Sequence, residues 1–266
     1  LLRQQYEIRA VIKTAVKGLA GSLGYDVIRK NVGGNADLSR GIVARFETNG
    51  EQVAMFVLNE WDYIQKHHLR GEFYEREELD LISRHVHGGT LVDVGANVGN
   101  HTVYMLRFLG VERAIAFEPN PVAAEILAVN VALNGLSTRV EHRLVGLSDR
   151  RSKAHLVAPG HKDLGSTRVS HSADETGADC IVMSGDEALA DLPQASLIKI
   201  DTEAMELEVL RGLEATLTRL RPKVFVEVDD ANSSAFLSMT ATLGYRVLAS
   251  YRRYATNCNY LLGPLE

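Results

Sequence analysis

The chain has 266 residues, 45% of them hydrophobic, enough to bury a sizeable core and to mark it as globular rather than fibrous or disordered. Its 29 Lys and Arg stand against 34 Asp and Glu, and a formal charge of -5 with no basic block gives no electrostatic reason to expect a nucleic-acid partner. Cys180 and Cys258 lie far apart in no CxxC spacing, which argues against a zinc site or disulfide framework and fits a reducing cytoplasm, and no window is apolar enough to span a membrane.

In chain order, Ile8, Val11, Ile12, Ala15, Val16, Leu19 and Leu23 recur at helical spacing with Arg3, Arg9, Lys13 and Lys17 between them. This predicts a basic amphipathic helix that docks on its own protein, with peripheral membrane contact through residues 1–23 as the alternative. Residues 30–41 are dense in Gly, Asn and Ser and read as a linker. Alternation at Ile42, Ala44 and Phe46, then at Val53, Met55 and Val57, predicts a hairpin turning at Asn49-Gly50. Residues 1–70 are therefore read as an N-terminal accessory region and 71–266 as the main domain.

From residue 72 the pattern becomes helix and strand in alternation, which implies a parallel sheet in an α/β fold. A helix is expected around 75–86. Strands are expected at 90–94, 113–117, 140–145, 197–200, 224–228, 246–249 and 260–262, with intervening helices at 98–109, 121–133, 203–219 and 232–243. Asn120 and Pro121 supply a cap and a first helical residue for the second of these.

The chemistry centres on LVDVGANVGNHT, residues 91–102, which closes the first strand of the sheet. Ligands of doubly wound sheets sit at the carboxyl ends of the strands near the point where strand order reverses. Gly95 permits a turn there and Gly99 a close helix start. Glu118 ends the next strand, 23 positions after Gly95, where a carboxylate can accept hydrogen bonds from both hydroxyls of an adenosine ribose. NAD and S-adenosylmethionine share that ribose, so charge has to decide between them. Asp93, Asp201 and Glu203 at neighbouring strand ends would repel a pyrophosphate and attract a sulfonium and an ammonium, and Asn97 can serve an amino-acid moiety.

Four segments, LVDVGANVGNHT, AFEPNPVAAEILAVNVALNG, LIKIDTEAMELEVLRGL and PKVFVEV, occur in an order that resembles the FkbM family of S-adenosylmethionine-dependent methyltransferases, with RGEFYEREEL similar to the family's upstream segment. The resemblance covers residues 71 to the end. It implies a class I methyltransferase Rossmann-like fold, with a seven-stranded, mostly parallel sheet and an antiparallel last strand, acting as an O-methyltransferase on a sugar or secondary metabolite. It further implies that Asp93, Gly95, Ala96, Asn97, Gly99 and Asn100 surround the methionine part of the cofactor, that Glu118 holds the ribose, and that Pro119, Asn120, Val145 and Gly146 border the adenine. Asp201 and Glu203 match the family's Asp-x-Glu near the transferring methyl. The family's glycine after that Glu is replaced here by Ala204-Met205, which puts the shape of the acceptor pocket in question.

Removal of a hydroxyl proton calls for a base, and Asp201, Glu203 and His161 in APGHKDLGST are the candidates. His101 can either touch the ligand or pack in the first turn of its helix. A metal on Asp201, Glu227, Asp229 and Asp230 is the weaker expectation, since EVDD reads as a solvated loop, and none is assigned. The extension would assist acceptor binding or homodimer formation. An NAD-dependent oxidoreductase and a non-catalytic assembly module that binds the cofactor are the rival readings.

Overall fold

The computed structural model describes residues 37–157, 164–165, 167–170 and 177–266. The amphipathic helix expected at 2–23, most of the 30–41 linker and His161 lie outside the described residues. The hairpin is formed by β1 (Ile42–Thr48) and β2 (Glu51–Val57). Asn49 and Gly50 both take positive φ, 53° and 79°, the turn whose twist matches that of the paired strands.

After the short helix α1 (Gln65–Leu69) and α2 (Arg76–Ser83) the alternating part begins. It runs β3 (Thr90–Val94), α3 (Asn100–Phe108), β4 (Arg113–Phe117), α4 (Pro121–Leu133) and β5 (Val140–Arg143). A small second sheet follows, made of β6 (Gly146–Ser148), β7 (Ser152–Val157), β8 (Arg168–Ser170) and β9 (Cys180–Ser184) in the order β6-β9-β7-β8. Then come α5 (Gly185–Ala188), β10 (Leu197–Ile200), α6 (Glu206–Gly212), α7 (Glu214–Leu220), β11 (Lys223–Asp229), α8 (Ser233–Thr242), β12 (Tyr245–Tyr251) and β13 (Asn257–Pro264).

The main sheet has the strand order β12-β13-β11-β10-β3-β4-β5. The pairs among β11, β10, β3, β4 and β5 are parallel, and β13 runs antiparallel to both its neighbours. Because both faces of the parallel strands are covered, β3 and β10 are buried at every position, which is why TLVDV and LIKI read as continuous runs. On one face α2, α3 and the hairpin share a core of Phe46, Met55, Leu79, Ile82, Val103 and Met105. On the other face α6 and α7 pack with Phe236 of α8 around Ile198, Val209 and Val226.

The hairpin is fastened to α4 by side chains acting as a substitute strand. Asn130 Oδ1 accepts from Phe56 N at 2.5 Å, and Asn134 both accepts from Ala54 N at 3.3 Å and donates to Ala54 O at 2.7 Å. Residues four apart on a helix share a face, so two asparagines at that spacing satisfy an otherwise bare strand edge. With the hairpin over it, α4 is apolar on nearly all sides and β2 is buried from Val53 to Val57, beyond the simple alternation expected of it.

Two expectations need correction. The helix expected at 203–219 is two helices, because Glu203 and Ala204 both sit at positive φ, 53° and 84°, and delay its start to Glu206, and a break at Leu213 divides it. The strand expected at 140–145 stops at Arg143, and Gly146 already belongs to the small sheet.

Candidate functional site

The carboxyl ends of β3, β4 and β10 open on a cavity of about 360 Å³, in the size range of small-molecule sites. It lies where β3 is flanked by β4 on one side and by β10 on the other, the switch point of the sheet.

After Val94 the backbone turns sharply. Gly95 N and Ala96 N both donate to Phe117 O at 3.0 Å. Gly95 has φ +76°, and a Cβ there would stand 1.8 Å from the carbonyl oxygen of Asp201, so no side chain fits between these loops. Asn97 follows at φ 49°; it lines the cavity and its Oδ1 is buried without a hydrogen-bond partner. Glu118 is 8% exposed, and its two oxygens accept from Asn97 N at 2.8 Å and Asn120 N at 2.7 Å. Burial pushes its carboxyl up to about 7, against the pull of those two N–H groups. Pro119, Gly146 and Leu147 continue the wall, and Leu164, Gly165, Thr167 and Val169 close it from the side of the small sheet.

Several residues expected at the ligand stand one layer away. Asp93 is fully buried beneath the cavity and absent from its wall, accepting from Thr102 Oγ1 at 2.5 Å and lying 3.3 Å from Lys199 Nζ. Gly99 is not in the wall either: a Cβ on it would meet Leu127 Cδ1 at 2.4 Å, so it serves the approach of α3 to α4. Asn120 caps α4 by accepting from Val122 N at 3.0 Å, and Val145 packs on the core. Asn100 does line the cavity, where its Oδ1 accepts from Tyr74 N at 3.0 Å and its Nδ2 donates to Tyr74 O at 2.9 Å, fixing the backbone before α2.

Asp201 and Glu203 both line the cavity, on a loop shaped by Glu206. The Glu206 carboxylate, 4% exposed, accepts from Thr202 N at 3.2 Å and Ala204 N at 3.0 Å and so holds the left-handed pair that carries Glu203. Ala204 therefore takes a left-handed conformation that glycine favours. Its Cβ costs about 1 kcal/mol in that region, so Ala204→Gly is expected to raise unfolding stability by up to about that amount in chemical denaturation. A loss of stability would contradict the assigned strain.

At the opposite end of the cavity stand His101, which the sequence left between ligand contact and packing, and Glu227, considered there only as a metal ligand. Glu75, at φ 59° and 8% exposed, lies with its Oε2 3.3 Å from His101 Nε2. That ring nitrogen lacks a properly aligned hydrogen bond. Burial lowers His101 to about 3, so the imidazole is neutral, and burial together with Asp201 raises Glu75 to about 8. Glu227 is raised to about 9 by burial, then by Asp201 and Glu75. Tyr63, Tyr74 and Tyr254 stand at the same end, with the Tyr74 and Tyr254 hydroxyls 2.9 Å apart. Arg253, beside Tyr254, donates to the fully buried Glu78 at 2.7 and 2.5 Å, which ties the β12–β13 turn to α2.

Lys199 on β10 is the principal residue the sequence reading passed over. Its ammonium donates to Gly95 O at 2.8 Å and lies 3.3 Å from Asp93 and 3.4 Å from Asp201. Burial alone would lower its pKa, but Asp93, Asp201 and Glu75 hold it above the usual lysine value. Of the four carboxylates considered for a metal, Asp201 and Glu227 line the cavity, whereas Asp229 is absent from its wall and Asp230 pairs with Arg252 at 2.8 Å. The described residues hold no cluster of three or more His, Cys, Asp or Glu placed to bind a metal ion.

The sequence pattern described as the methyltransferase FkbM domain matches residues 93–262. The AMB antimetabolite synthetase AmbE of Pseudomonas aeruginosa is 27% identical over 226 residues, covering 70% of this chain and 10% of that protein. Methyltransferase sdnD of Sordaria araneosa is 29% identical over 168 residues, covering 52% of this chain and 65% of its own length. The chain thus spans less than two thirds of either relative. Among solved structures, methyltransferase FkbM from Methylobacillus flagellatus superposes with a TM-score of 0.49 at 18% identity, covering 74% of this chain and 52% of that one.

Proposed function

Since the chain belongs to the FkbM family of methyltransferases, we propose that it is an O-methyltransferase acting on a hydroxyl of a sugar or glycosylated metabolite. S-adenosylmethionine is the cofactor, and when bound it supplies a methyl group made electrophilic by the sulfonium. The observation that carries the reading is the pairing of two unlike ends in one cavity. One is built from Glu118, Asn97 and the Gly95 turn, and the other from carboxyls and tyrosines.

The residues fit the cofactor on grounds of their own. Glu118 has its outer lone pairs left for ribose hydroxyls, since the backbone donors take one position on each oxygen. The buried, unpartnered Asn97 Oδ1 suits an ammonium donor. Asp201 lies across the Gly95 turn, where it favours cationic groups. An NAD reading lacks comparable support, because carboxyls rather than free cations line this part of the wall.

The chain's work in transfer is to hold an acceptor oxygen in line and to take its proton. Alignment supplies much of the acceleration in such displacements. Asp201 and Glu203 are the carboxyls assigned to accept the proton, standing together on the loop held by Glu206. Glu75 and Glu227 keep their protons near neutral pH as long as no cation stands beside them. The aromatic walls exclude water from the reacting oxygen.

Isothermal titration with S-adenosylhomocysteine and with NADH tests the reading. Binding of the first and not the second is expected, and the reverse would overturn it. Glu118→Ala should weaken S-adenosylhomocysteine by about 1.5 to 3 kcal/mol, the worth of hydrogen bonds to a charged group. An unchanged affinity would remove Glu118 from the ribose.

A further inference from the structure

Charge and burial at the far end of the cavity go further and, resting on the methyltransferase reading, bear on what the acceptor carries. Glu75, Asp201, Glu203 and Glu227 line that region, and Lys199 is the single Lys or Arg among the described residues of the wall. Its ammonium is already shared between Asp93 and Asp201. A bound S-adenosylmethionine adds a sulfonium and an ammonium against one carboxylate, a net gain of one positive charge. The carboxyls remain in surplus after both cations are counted.

A second, independent observation lies in the same place. His101 is 6% exposed, lines the cavity and leaves Nε2 without a hydrogen-bond partner beside Glu75. A neutral imidazole nitrogen and a carboxyl side by side, both withheld from solvent, suit a ligand that donates N–H hydrogen bonds. Tyr63 and Tyr74 meet edge to face with centroids 5.4 Å apart, and the Tyr254 hydroxyl, 2.9 Å from that of Tyr74, completes the wall beside these groups.

We propose that the acceptor carries a protonated amine near its reacting hydroxyl, as an amino sugar does, and that Glu75 and Glu227 hold this ammonium. Glu75 is raised by burial and then by Asp201 and Glu78, Glu227 by burial and then by Asp201 and Glu75, and an ammonium among these carboxyls relieves the repulsion. A neutral sugar, by contrast, would meet protonated carboxyls as ordinary hydrogen-bond partners and gain nothing from their number.

The test uses the whole chain saturated with S-adenosylhomocysteine and two probes, glucosamine and glucose, which differ in one ammonium for one hydroxyl. Titration by ligand-observed NMR is expected to show glucosamine binding at least about tenfold more tightly, the scale of a partly desolvated charge pair. Glu227→Gln and, separately, Glu75→Gln should bring the two sugars to within about threefold of each other. Thermal unfolding and S-adenosylhomocysteine affinity are followed in each variant, so that a folding defect in one leaves the other to decide. Equal affinities in the parent chain, tighter glucose, or no binding of either sugar overturns the proposal. Failure of S-adenosylhomocysteine itself to bind is a separate result that removes the methyltransferase reading, and this inference with it.

Discussion

Replacing Lys199 with Met should cost about 3 to 5 kcal/mol of unfolding stability, the penalty for stranding a buried charge. Asp93 is fully buried, and apart from Thr102 its charge is met by the Lys199 ammonium. The same ammonium holds the carbonyl of Gly95, so the loss should loosen the turn that carries Asn97 and weaken S-adenosylhomocysteine as well. Asp93→Asn in the same chain is the informative partner: a neutral amide can still accept from Thr102, and the double variant should recover most of the stability. Chemical denaturation of the four proteins of this cycle reads the coupling. A loss under about 1 kcal/mol in the single variant, or no recovery in the double, would show that the pair does not carry the charge balance assigned to it.

Lys199 also shows why the charge argument from sequence reached the right cofactor by an incomplete route. In LIKID the lysine occupies a strand position that alternation leaves undecided, and nothing local says that it turns inward beneath the glycine loop. Counting carboxylates alone placed Asp93 at the ligand. The structure makes Asp93 the partner of a buried cation instead, and adds to Asp201 and Glu203 in the wall the carboxyls of Glu75, expected only as part of a helix, and Glu227, read as the start of a solvated loop. Glu75 reaches the cavity because Asn100 fixes the backbone at Tyr74 from 26 residues away, a contact no periodicity encodes.

The parallel strands were legible because both their faces are buried and their ends are marked by Gly95, Glu118 and Asp201. The boundaries at 90–94, 113–117 and 197–200 match the strands found. The small sheet was not legible. Its strands SKAHLV and RVS are short and half exposed, so neither alternation nor a continuous apolar run sets them apart from loop. Yet Gly146 and Val169 of this sheet, with Leu164, line the cavity wall. The asparagines at 130 and 134 were visible on their helix, but their meaning needed the hairpin, which lies more than 70 residues earlier.

Stability of the ligand-free chain should fall as pH rises from 6.5 to 9, by on the order of 3 kcal/mol or more, since each unit of pH over which one native carboxyl keeps a proton that the unfolded chain has lost costs about 1.4 kcal/mol. Glu118, Glu75 and Glu227 are raised from 4.5 to about 7, 8 and 9, so across this range the native state binds more protons than the unfolded one. Below 6.5 the buried His68, His101 and His142, lowered to about 4, 3 and 4, act in the other direction. There the unfolded imidazoles take up protons that the native ones refuse. The two sets offset each other between about pH 4.5 and 6.5, which leaves a plateau there and a decline above it. Denaturant titrations at half-unit intervals would show it, and a level or rising curve from 6.5 to 9 would contradict the burial of these carboxyls. The variants separate the contributions by where they titrate. Glu118→Gln should remove one proton's worth of slope between about pH 4.5 and 7, so that the plateau tilts upward toward 6.5 and the decline above 7 is unchanged, whereas Glu227→Gln should tilt the plateau in the same way and also flatten the upper end of the decline.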